Sequence, residues 1–137
     1  MSELNDPAVI ERLIRTPGTW AVVGLSTNPS RAAFRVSAYL QSIGKTIVPV
    51  HPKAETVHGA TGYARLADVP GDVDVVDIFV NADLAGAVVD QAIARGSAAV
   101  WMQLGVIDEA AAQRALDAGL DVVMDHCPAI EGPRLLG

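Results

Sequence analysis

The chain has 137 residues, half of them apolar and about a fifth charged, which is typical of one globular domain and excludes a disordered segment. The formal net charge of −6 disfavours general binding to nucleic acids or anionic membranes, because both need a basic surface. The one cysteine, Cys127, excludes an internal disulfide.

Helix-like and strand-like segments alternate along the chain without a linker. Pro7 after Asp6 predicts the start of a helix that ends at Pro17. We expect residues 1–18, which contain this helix, to pack on the rest of the domain. Further on, the apolar spacing predicts strands at about 20–24, 46–50, 73–80, 98–102 and 120–124, and helices at about 31–43, 83–95 and 108–118. We expect Asp83 to cap the second of these helices, a short edge strand near Tyr63, and an irregular tail over 128–137.

Strands that alternate with helices of this length indicate βαβ units and a mainly parallel sheet. Their right-handed crossovers place helices on both faces, so we expect a single α/β domain, doubly wound, with five or six strands. In such sheets a ligand lies beyond the carboxyl ends of the strands, where the strand order reverses. The residues that follow each strand are therefore the candidates for function.

The loop after the first strand, residues 24–31, consists of small and hydroxyl-bearing residues at the start of a helix. The free N–H groups of a helix start favour an anion, and Arg31 can pair with phosphate. The same composition also fits a tight turn in which Asn28 or Ser30 only caps the helix. The loop keeps only Gly24 of the dinucleotide fingerprint and lacks the Lys-Ser/Thr of a P-loop.

The second strand is followed by Lys53, whereas a domain that binds an unmodified ribose carries an acid near this position. A cation here suits a ribose with an extra phosphate, as in coenzyme A (CoA) or NADP. Lys53 also fits an ordinary solvated surface lysine.

Five segments in order resemble the family of stand-alone CoA-binding proteins, which is similar to the N-terminal CoA-binding domain of the succinyl-CoA synthetase alpha subunit. They cover most of the chain, from about Thr19 to Glu131. The segments are Val-Val-Gly-Leu-Ser-Thr-Asn-Pro-Ser-Arg (22–31), Val-Pro-Val-His-Pro-Lys (48–53), Val-Asp-Val-Val-Asp-Ile-Phe (73–79), Val-Trp-Met-Gln-Leu-Gly-Val-Ile (100–107) and Val-Val-Met-Asp-His-Cys-Pro-Ala-Ile-Glu (122–131).

The resemblance implies a Rossmann-like domain that binds CoA at the reversal point of the sheet. Three groups of residues match the family's ligand-binding positions. The pyrophosphate would lie on Gly24, Ser26, Thr27, Asn28 and Arg31. The phosphorylated adenosine would meet Lys53, with Val50, His51 and Pro52 beside it. The pocket near the adenine or the pantetheine arm would be lined by Val80, Asn81 and Ala82, with Gln103 and Gly105 as secondary candidates. We expect Gly24→Val to abolish binding without unfolding the domain.

The chain departs from the family's usual pattern at several positions. Val80 stands where an arginine is common, Ala32 and Ala33 replace a Pro-Ser pair, and His126 replaces an arginine. Fewer cations weaken phosphate binding, so these changes affect affinity more than fold. Arg35, one turn beyond Arg31, either compensates or is a surface residue.

Other chemistry-bearing residues favour structural interpretations. Asp125, His126 and Cys127 are consecutive and point to alternate sides, which disfavours a metal site or a nucleophile, so we expect Cys127 to be a buried apolar residue. Asp74 and Asp77 face opposite sides of a strand and form no acid/base pair. The two tryptophans are expected in the core. We therefore expect no metal and no catalytic residue.

The sequence thus predicts a protein that binds CoA or acyl-CoA without catalytic machinery of its own and acts as a sensor, a carrier or an accessory subunit. A subunit of a split acyl-CoA ligase is a variant of this hypothesis, because the chain is too short to hold the ligase's other domains. The alternatives are an NADP-binding oxidoreductase or sensor, and an interaction domain that lost its ligand. The lone cysteine and the absence of a signal-peptide pattern predict a cytoplasmic protein, and a homodimer stays open.

Overall fold

The computed structural model describes residues 3–137. They form a five-stranded sheet with helices on both faces. The elements in chain order are α1 (Pro7–Arg15), β1 (Thr19–Val23), α2 (Ala32–Ser42), β2 (Thr46–Val50), a 3-10 helix (Leu66–Asp68), β3 (Val75–Ile78), α3 (Ala82–Ala94), β4 (Ala99–Met102), α4 (Glu109–Asp117), β5 (Asp121–Met124) and α5 (Pro128–Leu136).

The strands lie in the order β2-β1-β3-β4-β5, and every neighbouring pair is parallel. The chain moves outward from β1 to β2 and then returns to the opposite side of β1 to form β3. The strand order therefore reverses at the carboxyl ends of β1 and β3, where a ligand-binding crevice is expected. The predicted Rossmann-like α/β fold is confirmed, with five strands.

Each face of the sheet buries its own apolar cluster. Helices α3 and α4 cover one face, and α1, α2 and α5 cover the other. On the second face Trp20 and Trp101 are buried with ring centroids 5.5 Å apart, so both tryptophans are core residues as predicted. Cys127 is also buried and is a free thiol. Within residues 3–137, every helix is too short or too polar to reach across a lipid bilayer.

The expected irregular tail is wrong, because residues 128–136 form α5. Pro128 occupies the first turn, where its missing N–H costs nothing. The N–H groups of Ile130 and Glu131 donate to the Cys127 carbonyl at 3.0 and 2.9 Å. Gly132 lets α5 approach α2, since a Cβ there would lie 2.1 Å from the Tyr39 hydroxyl. Proline and glycine here mark a helix start and a close helix contact.

Other element boundaries also differ from the sequence-based expectation. Helix α3 begins at Ala82 with Asn81 as its N-cap, so Asp83 lies in the first turn and does not cap it. The edge strand near Tyr63 is a single parallel bridge to Val50. Helix α4 begins at Glu109, close to the predicted start, and Asp108 caps it with its carboxylate accepting from the Ala111 N–H at 3.0 Å.

The carboxyl of Asp77 is fully buried in the middle of the sheet, between Val22 on β1 and Trp101 on β4. Neither carboxyl oxygen has a hydrogen-bond partner among the described residues. This burial raises the pKa of Asp77 well above its usual range, because the low-dielectric interior favours the neutral form of the carboxyl. Asp74, in contrast, is exposed and accepts the Thr19 N–H at 2.7 Å, so the two carboxyls form no acid/base pair.

We expect Asp77→Asn to stabilise the protein by at least about 1 kcal/mol at pH 7.5, and progressively less toward pH 4. Burial favours the protonated form of wild-type Asp77 in the folded state, whereas in the unfolded chain the carboxyl ionises above about pH 4, so wild-type stability falls as the pH rises. The asparagine is neutral throughout. Urea denaturation of both proteins between pH 4 and 8 measures the difference, and a difference that does not grow with pH would contradict the buried neutral carboxyl.

Candidate functional site

A cleft of about 960 Å³ opens at the carboxyl ends of β2, β1, β3 and β4, a size within the usual range for ligand pockets. It brings together residues from segments far apart in the sequence. Of the fourteen predicted binding residues, ten line it: Gly24, Ser26, Asn28, Arg31, Val50, His51, Pro52, Lys53, Val80 and Gln103.

The turn after β1 requires glycine. Gly24 has a φ of +102°, which side-chain-bearing residues rarely adopt, and its N–H donates to the Val50 carbonyl at 2.8 Å. A Cβ would lie 3.3 Å from the Cβ of Phe79, the residue that follows β3. Gly24→Val would therefore strain the backbone and the contact with Phe79 as well as crowd the ligand loop, and the expectation that it abolishes binding without unfolding the domain stays a prediction.

The loop between β1 and α2 leaves the start of the helix open. Asn28 accepts from the N–H and the hydroxyl of Ser30 at 3.0 and 2.7 Å, which shapes the loop internally. The N-cap of α2 is Arg31, and no side chain accepts from the first turn, so neither Asn28 nor Ser30 caps the helix. The first helical residues, Ala32 and Ala33, line the cleft. The free N–H groups and the helix dipole favour an anion there.

Four predicted residues do not line the cleft: Thr27, Asn81, Ala82 and Gly105. Thr27 contacts Glu55 instead, with its hydroxyl donating to the carboxylate at 3.0 Å and its N–H at 3.4 Å. These hydrogen bonds, with smaller contributions from Lys53 and His51, lower the pKa of Glu55. Asn81 and Ala82 form the start of α3, and Val80 before them faces the cleft.

A tight turn after β2 brings Lys53 to the rim of the cleft. The Nδ1 atom of His51 accepts the Lys53 N–H at 3.1 Å, and the His51 carbonyl accepts the Ala54 N–H at 2.8 Å. The side chain of Lys53 is exposed and makes no ion pair within the described part of the chain. An ammonium group is therefore free to meet an anionic ligand.

Sequence reasoning missed Arg65. It lies at the cleft because Tyr63 pairs with Val50 and carries the following residues to the carboxyl end of β2. Its guanidinium pairs with Asp68 at 3.0 Å, which raises its pKa. No local motif marks this residue, since a single long-range bridge positions it. Arg35, in contrast, does not line the cleft.

Within residues 3–137, the charged side chains that line the cleft are all cationic: Arg31, Lys53 and Arg65. They lie at the β2 and β1 end. At the opposite end the lining is uncharged and includes Leu84, Leu104 and Val106, which the sequence analysis did not single out. The cleft is therefore basic at one end and apolar at the other.

The end of β4 contributes a buried amide. Gln103 is 7% exposed, and its Oε1 has no donor within residues 3–137, so it can accept a hydrogen bond from a ligand. Gly105 does not line the cleft, and its N–H donates to the Asp125 carboxylate at 2.8 Å. No three His, Cys, Asp or Glu side chains in the described chain gather as metal ligands would.

Comparison with known proteins identifies the family. A family model described as a CoA binding domain matches residues 18–133. The chain belongs to the CoA binding domain family. It is 30% identical over 120 residues to the uncharacterized protein YneT of Bacillus subtilis (strain 168), which covers 88% of this chain and 89% of that protein.

Solved structures share this fold. A hypothetical protein from Pyrococcus horikoshii OT3 superposes with a TM-score of 0.90 at 36% identity, covering 96% of this chain and 93% of that one. The dinucleotide-forming acetyl-coenzyme A synthetase 1 of Ca. Korarchaeum cryptofilum superposes with a TM-score of 0.71 at 28% identity, covering 85% of this chain but only 27% of that one. This CoA binding domain thus resembles about a quarter of a synthetase.

We expect Gly24→Ala to lower the free energy of unfolding by about 2 kcal/mol or more, because the left-handed backbone is strained and the Cβ presses on Phe79. Gly105→Ala is the matched control: its φ is also positive, at +79°, but a Cβ there meets no atom within 4 Å. It should cost about 1 kcal/mol. Urea denaturation measures the free energy of unfolding of both variants. Equal losses of stability would contradict the close approach of Gly24 to Phe79.

Proposed function

We propose that this protein binds coenzyme A or an acyl-CoA in the cleft and serves as a sensor, a carrier or an accessory subunit without catalysing a reaction itself. One observation carries the proposal: in a chain with a net charge of −6, the charged side chains that line the cleft in the described structure are three cations. CoA carries a pyrophosphate and a third phosphate on its ribose, so it offers three anionic groups to such a cleft.

The pyrophosphate is proposed to lie on the loop between Gly24 and Arg31. The close approach of backbone at Gly24, the open N–H groups at the start of α2 and the guanidinium of Arg31 all favour phosphate there. The 3′-phosphate of the ribose is proposed to meet Lys53. Arg65 adds a second cation at the same end of the cleft.

The side chains of the described cleft favour binding over catalysis. Ser26 accepts the Asn28 N–H at 3.3 Å and His51 accepts the Lys53 N–H at 3.1 Å, so neither is paired with the other as nucleophile and base. The likeness to a quarter of a synthetase supports a finer hypothesis, a CoA-recognition subunit of a split acyl-CoA ligase. A cytoplasmic location and a homodimer stay predictions.

Calorimetric titration of the purified protein with CoA, dephospho-CoA, NADP and NAD tests this proposal. We expect CoA to bind most tightly and dephospho-CoA more weakly, because the latter lacks the 3′-phosphate. NADP binding without CoA binding would contradict the proposal and favour a nicotinamide-dependent role. A protein that binds none of the four would be an interaction domain without this ligand.

We expect Lys53→Ala to weaken CoA binding about fivefold to tenfold and to leave dephospho-CoA binding nearly unchanged, because a charge-assisted contact at an exposed site contributes about 1 kcal/mol. The ratio of the two dissociation constants, measured by calorimetry, should therefore approach one. Arg35→Ala is the matched control, since it removes a cation of α2 that does not line the cleft. An equal effect of the two substitutions would mean that general charge, not Lys53, holds the phosphate.

A further inference from the structure

The end of the cleft formed by β3 and β4 is apolar and open to solvent. Leu84 and Leu104 are 55% and 51% exposed, and Val80 and Val106 lie beside them in the lining. The large side chains of both leucines stand at the rim of the same cleft. Exposed leucines grouped at a cleft are typical of a binding surface, because water contacts them at a cost in free energy.

This apolar end continues the cleft that begins at the cations. The sheet order places three strand spacings between β2 and β4, so their carboxyl ends lie about 14 Å apart. A ligand with its phosphates near Arg31 and Lys53 therefore reaches Leu104 with its uncharged part. CoA has this shape, because its phosphates lie at one end and its thiol at the other. The inference below rests on the function proposed above.

We propose that the cleft binds CoA thioesters of apolar acyl groups, with the acyl chain lying on Leu104 and Val106. Gln103 supports this placement: its buried Oε1 lacks a donor in the described chain, and the amide N–H groups of the pantetheine arm supply one. The acyl group follows directly after that arm. It therefore lies next to the residues that come after Gln103.

The charges around this end disfavour acyl groups that carry a carboxylate. The described lining has no cation at the β4 end. The loop that follows β4 is held by an anion, since the Asp125 carboxylate accepts the Gly105 N–H at 2.8 Å. A dicarboxylic thioester such as succinyl-CoA would place its carboxylate at this end of the cleft, where the described lining offers no cation to pair with it.

Calorimetric titration with CoA and with acetyl-, butyryl-, hexanoyl- and succinyl-CoA tests the proposal. Full burial of one methylene group contributes about 0.8 kcal/mol to binding, which corresponds to about a fourfold gain in affinity. A wall that covers the acyl chain on one side contributes about half of that free energy, or about a twofold gain per methylene. Hexanoyl-CoA should bind at least about tenfold more tightly than acetyl-CoA. Butyryl-CoA and succinyl-CoA have acyl chains of the same length, and the butyryl form should bind at least fivefold more tightly.

Substitution of one leucine tests where the acyl chain lies in the cleft. Leu104→Asn should reduce the tenfold advantage of hexanoyl-CoA over acetyl-CoA to about twofold. Ile107→Asn is the matched control: Ile107 is 47% exposed in the same loop but does not line the cleft, so this variant should keep the full advantage. Both positions are at the surface, and a thermal melt verifies that each variant folds.

The outcomes separate the inference from the proposed function. If CoA and all its thioesters fail to bind, the proposed function is wrong and the inference falls with it. If CoA binds but its affinity does not change with the length of the acyl chain, only the inference is wrong. The two leucines would then contact a protein partner or the adenine ring. An advantage of hexanoyl-CoA that survives Leu104→Asn would also overturn it, since the chain would then lie elsewhere.

Discussion

The geometry of the cleft depends on the position of β1 between two parallel strands. Gly24 ends β1 with its N–H on the Val50 carbonyl, while the Phe79 N–H donates to the Val23 carbonyl on the other side. The chain has to leave the sheet between its two neighbours, and a left-handed glycine allows that turn. Because the turn is made there, the start of α2 lies at the crevice, where Ala32 and Ala33 line it.

The charge distribution determines what the crevice can bind. Several carboxylates of this acidic chain lie away from it: Asp121 pairs with Arg12, Asp90 pairs with Arg114, and Asp77 is fully buried in the sheet. The cleft keeps cations at one end and apolar side chains at the other. Cations at one end and an apolar wall at the other favour a ligand that has anionic phosphates at one end and an uncharged group at the other.

The sequence predicts the fold and the position of the loops after β1 and β2 at the cleft, because their signals are local. Apolar strands alternate with amphipathic helices, and the segments around Gly24 and Lys53 follow their strands directly. Arg65 could not be predicted, since a long-range bridge between Val50 and Tyr63 positions it. Thr27 lies in the predicted loop, but its contact with Glu55, 28 residues away, turns it from the cleft. Local patterns also mistook α5 for an irregular tail, because its Pro and Gly have structural roles that only the packing against α2 reveals.

A crystal structure of this protein grown with CoA tests the central claim most directly. The account predicts the pyrophosphate within hydrogen-bond distance of the backbone between Gly24 and Ala33, the 3′-phosphate at the Lys53 ammonium, and the thiol end beside Leu104. A cleft that stays empty at saturating CoA, or CoA bound at another surface with these residues untouched, would contradict it.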